Sequence, residues 1–84
     1  MPYTHVSRLT SQNSNTYATK AEWVAEHGNC GLNNPLVTSG DIVADGTNAV
    51  TRTLVYAERD DRQTHIDGRP SITWTAALIS EETT

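Results

Sequence analysis

The run SITWTAALIS, residues 71–80, has the clearest two-residue periodicity in the chain. Ile72, Trp74, Ala76 and Leu78 fall on one side, and Thr73, Thr75, Ala77 and Ile79 on the other. Such alternation predicts a strand, because successive side chains leave opposite faces of a sheet. Residues 3–10, YTHVSRLT, are rich in Thr, Tyr and Val and alternate more weakly, which predicts a first strand. Residues 36–44, LVTSGDIVA, read as another, with a bulge expected near Ser39–Gly40. Asp45-Gly46 then predicts a two-residue type I′ hairpin, whose turn needs positive φ twice. The strand after it spans roughly 47–57, with Val50, Leu54 and Tyr56 alternating with Thr51, Thr53 and Val55.

Only one stretch has the helical period together with a start and a stop. In TKAEWVAEH, residues 19–27, Thr19 and Glu22 form a T-x-x-E capping box, and Gly28 follows where a left-handed residue ends a helix. Tyr17, Ala21, Val24 and Ala25 share its apolar face, with Trp23 at the margin. SQNSN before it and NCGLNNP after it read as loops, since Ser and Asn side chains bond to nearby backbone. EETT, at 81–84, reads as a frayed tail, as do residues 1–2 at the other end.

Residues 58–67 admit two readings. Asp60 can cap a short second helix, with Gln63 at its third position and Gly68 past its end. Alternatively the flanking strands run on into a long hairpin that turns at Asp67-Gly68. The helix reading is favoured, because ERDDRQTH lacks alternation and β-branched density. The chain is then one α+β domain, residues 1–84. It has a four-stranded antiparallel sheet with one or two helices on one face, in the ferredoxin-like βαββαβ order. A dimeric α+β barrel is one assembly that this plan allows.

Composition sharpens that expectation. Only 36% of the 84 residues are hydrophobic and none is Phe, so five aromatics must carry much of a small core. The second face of the last two strands mixes Thr with Val, Ala and Ile, and one layer of helix cannot cover both faces. A homodimer through that sheet face is the expected partner. The net charge of -4 sits wholly in residues 41–84, where four arginines meet eight acids, and no basic stripe occurs. Nucleic acid is therefore not an expected partner. No apolar run approaches the ~20 residues that span a bilayer, and MPYTHVSRLTSQ has neither the charged nor the apolar region of a secretory leader. With Cys30 as the single cysteine, the expected location is the cytoplasm.

Candidate chemistry is sparse. His65-x-Asp67, near Asp60, Asp61 and Arg69, is the densest polar cluster. A carboxylate beside an imidazole suits a general base, and Tyr56 is a further acid–base candidate; the same cluster also reads as a solvated loop. His5, Arg52 and Trp74 are the residues with which a cavity inside a sheet-to-sheet dimer would hold a small organic molecule. Read structurally instead, Tyr56 and Trp74 are core residues under the helix. His27-x-x-Cys30 is half of a zinc site without its second half, so no metal and no cofactor is expected. Phosphate-binding loops, nucleophile elbows and H-E-x-x-H are absent. These features predict a small homo-oligomeric binding protein without catalytic machinery. A small barrel-type enzyme or ligand carrier is the alternative, as is an accessory or inhibitor protein of a mobile element.

Overall fold

The computed structural model describes residues 1–58 and 73–83. Four strands and one helix follow in the order β1 (Tyr3–Ser11), α1 (Lys20–His27), β2 (Val37–Ala44), β3 (Ala49–Tyr56) and β4 (Trp74–Thr83). The strands form one antiparallel sheet in the order β2-β3-β1-β4, which makes the domain α+β. Because β2 and β1 both oppose β3, they run parallel to each other with β3 between them. By the same rule β3 and β4 run parallel with β1 between them. A direct β3–β4 ladder, which a hairpin between those strands requires, is therefore not formed. Residues 59–72, including most of the stretch with two readings, lie outside the described residues.

Periodicity locates the strands to within a few residues, and local chemistry corrects the edges. The register of β2 shifts between Val37 and Ser39, next to the expected bulge. The link to β3 is not a two-residue type I′ turn. Only Gly46 has positive φ, at 82°, while Asp45 stays in ordinary φ space. Asp45 Oδ1 instead accepts from the Thr47 amide at 3.2 Å and the Thr47 hydroxyl at 2.6 Å, an Asx turn that lengthens the loop. β4 runs on through Glu81–Thr83, expected as a tail, because β1 offers partners as far as Tyr3. A register shift between Val6 and Ser7 makes Ile79 the bulged residue of β4.

The helix keeps its expected bounds but turns a different residue inward. Thr19 Oγ1 accepts from the Glu22 amide at 3.3 Å, and Glu22 Oε2 reaches past Thr19 to the Ala18 amide at 3.0 Å. Gly28, with φ of 78°, closes the end by donating its amide to the Val24 carbonyl. Trp23, expected at the margin, is the buried residue of α1, while Ala21 and Ala25 are exposed. One indole offers more apolar area than both alanines together, so it decides which face meets the sheet. It packs with Leu9, Ile42, Val50 and Trp74, one residue from each strand. Tyr56, expected under the helix, belongs to a second cluster with Tyr3 and Leu54. α1 lies over the β2 side, which leaves Leu78 of β4 56% exposed. Among the described residues no helix is long and apolar enough to cross a membrane.

β2 and β3 meet closely at Gly40. A Cβ there would stand 2.4 Å from the Thr53 carbonyl oxygen and 2.8 Å from Leu32 Cδ2. The carbonyl belongs to the ladder and cannot move aside without opening it. Gly40→Ala is expected to cost roughly 1–3 kcal/mol, as overpacking of closed sites does. A urea denaturation midpoint equal to that of the parent protein would contradict this account of the β2 register.

Candidate functional site

The residues expected to hold a ligand, His5, Arg52 and Trp74, share the helix-facing side of the sheet; Arg52 and Trp74 are buried there and His5 is half-buried. Arg52 and the acid–base candidate Tyr56 are each 1% exposed. Arg52 Nε donates to Ser7 Oγ at 3.2 Å, Nη1 donates to the Cys30 carbonyl at 2.7 Å, and the guanidinium lies 5.5 Å from the centre of the Trp74 ring. The Cys30 carbonyl can face Arg52 because Cys30 has φ of 53°, uncommon for a residue with a side chain. This buried cation thus ties β3, β1, β4 and the loop after α1 together. Tyr56 stacks on Tyr3 with ring centres 5.9 Å apart. The Tyr3 hydroxyl donates to Glu81 Oε2 at 2.6 Å and lies 3.3 Å from His5 Nδ1. His5 thus sits beside Tyr3 and Glu81, while Arg52 and Trp74 meet each other two rows along the sheet. His65 and Asp67, with the rest of their acidic cluster, lie outside the described residues.

His27 and Cys30 do not turn towards a common centre. Trp23 Nε1 donates to Cys30 Sγ at 3.3 Å, whereas His27 Nε2 lies 3.0 Å from the Tyr17 hydroxyl. Burial pushes the Cys30 thiol up from its ordinary value, partly offset by the Trp23 bond and by Arg52, so it is no ready thiolate. Among the described residues no group of three or more His, Cys, Asp and Glu side chains gathers as a metal site.

Sequence reasoning overlooked the constellation around Tyr17. Its backbone is pinned by the β2–β3 loop: the Tyr17 amide donates to the Thr47 carbonyl and the Tyr17 carbonyl accepts from the Gly46 amide. Its ring stands edge-on to Trp23 and to His27. Its hydroxyl ends in a polar junction with Glu26 Oε2 at 2.6 Å, His27 Nε2 at 3.0 Å and Asn13 Nδ2 at 3.1 Å. The single phenolic proton goes to the carboxylate, the shortest and charge-assisted bond. The phenolic oxygen then accepts from Asn13 and from His27, which assigns the neutral imidazole its proton on Nε2. His27 Nδ1 is left buried without a partner.

This arrangement says what the junction can do. The phenolic oxygen has its donor and both acceptor sites in use, so it offers none to a reacting group. Asn13 and Asn15 also donate to Glu26 Oε1, at 3.0 and 3.3 Å. Clefts open on two sides of it. A narrower one of about 260 Å³ is lined by Gln12, Asn13, Glu26, His27 and Thr73. A broader one of about 690 Å³ runs between the Ser14–Tyr17 segment and the Glu22–Glu26 side of α1. In the sequence, the only signal for this site was Glu22 and Glu26 four residues apart on one helix face, a like-charge pair. Compared with known protein families, curated proteins and solved structures, the chain matches none.

Burial lowers the pKa of His27 from its ordinary 6.5, with the Glu26 charge raising it in part. Protonation would also create an Nδ1–H with no acceptor. The unfolded chain therefore binds its proton first as pH falls. Stability contributed by neutral His27 is present above the ordinary value of 6.5 and is lost as pH drops through it towards the lowered native value. Between about pH 7.5 and about pH 5, the urea midpoint of the parent should fall further than that of His27→Gln. Equal falls in the two proteins would contradict the assigned environment.

Proposed function

We propose that the chain is a small binding protein whose working unit is a pair of copies packed sheet to sheet. The observation that carries this reading is the face of the sheet opposite α1. Val6, Thr51, Thr53 and Val55 lie at its centre on β1 and β3, and all are only half-buried in the single chain. Val43, beside Thr51, is 59% exposed. None of these residues belongs to either core cluster among the described residues. Asp41 and Glu82 stand towards the rim, on the edge strands, and Arg8 reaches from this face to Asp45 and Thr47 at the β2–β3 turn. Apart from Arg8, whose side chain leaves for the turn, the centre carries no charge, and such a centre inside a polar rim is the anatomy of a protein interface. Four strands at ~4.8 Å, each about eight residues long, give a flat footprint of roughly 500 Å² per copy. Side-chain relief enlarges that figure towards the lower end of specific interfaces. A second copy suits the face because two twisted sheets of the same hand pack with their inner side chains interleaved.

The same reading takes the domain as a split βαβ, or ferredoxin-like, plan, and the pair as a dimeric α+β barrel. In support, β1 and β2 run parallel across β3, joined through α1, while β3 and β4 run parallel across β1. A non-catalytic role is favoured because the described acid–base groups are spoken for: the Tyr17 hydroxyl is saturated and the Tyr56 ring is closed off. We read the compartment as the cytoplasm, since a single cysteine can form no internal disulfide.

Thr53→Arg puts two like charges into the middle of the proposed contact while leaving the helix side untouched. At roughly 10 µM, a concentration at which specific pairs persist, sedimentation should give a dimer for the parent. Thr53→Arg should sediment as a monomer with the near-ultraviolet dichroism of the parent. A monomeric parent at roughly ten times that concentration would overturn the reading.

A further inference from the structure

We draw no further inference here: the strongest candidate, the narrower cleft lined by Gln12, Asn13, Glu26, His27 and Thr73 beside the unpartnered His27 Nδ1, belongs to the Tyr17 junction already described, and nothing in the structure shows what would occupy it.

Discussion

One indole holds this domain together. α1 is eight residues long, too short to persist alone in water, and Trp23 is its only fully buried side chain. Trp23 belongs to the buried cluster that takes one residue from each of the four strands. The same ring meets Tyr17 edge-on, lies tilted against His27 and donates its N–H to Cys30, so the loops before and after the helix are fixed by the residue that fixes the helix. Arg52 then latches the Cys30 loop onto β3 from inside. Val24, Cys30 and Leu32 are only partly buried against the same cluster, so the layer over the sheet depends chiefly on this contact.

Closing one face so economically has a consequence for the other. α1 covers part of one side of the sheet, and the described helical structure stops there. The opposite side keeps Val6, Val55 and a ladder of threonines half-buried. Threonine suits such a surface because it packs by its methyl and remains soluble by its hydroxyl.

What the sequence revealed follows from the range of the interactions involved. The helix ends were legible at Thr19, Glu22 and Gly28 because capping is settled within four residues. Strand alternation was legible at Val50, Leu54, Tyr56, Trp74 and Ala76 because it is settled by local geometry. The inward face of α1 was misread, since a count of small apolar residues outvoted one large ring. Asp45-Gly46 was misread as a tight turn because the competing Asx bond to Thr47 is invisible to a dipeptide rule. Arg52 was taken for a ligand contact. Its partners at Ser7 and Cys30 lie 45 and 22 residues away, and no local pattern announces them. The Tyr17 junction was missed for the same reason, as it exists only once the loop from Asn13 and the end of α1 meet.

The primacy of Trp23 is open to direct measurement by urea denaturation of Trp23→Ala, followed through the fluorescence of the remaining Trp74 and through far-ultraviolet dichroism. The account predicts a loss of about 3–5 kcal/mol, the range for removing a buried tryptophan, with both signals changing together or the chain already unfolded in water. A loss below about 1 kcal/mol, the scale of an ordinary surface change, would contradict it, because the helix, the Tyr17 junction and the Cys30 loop would then be held by something else.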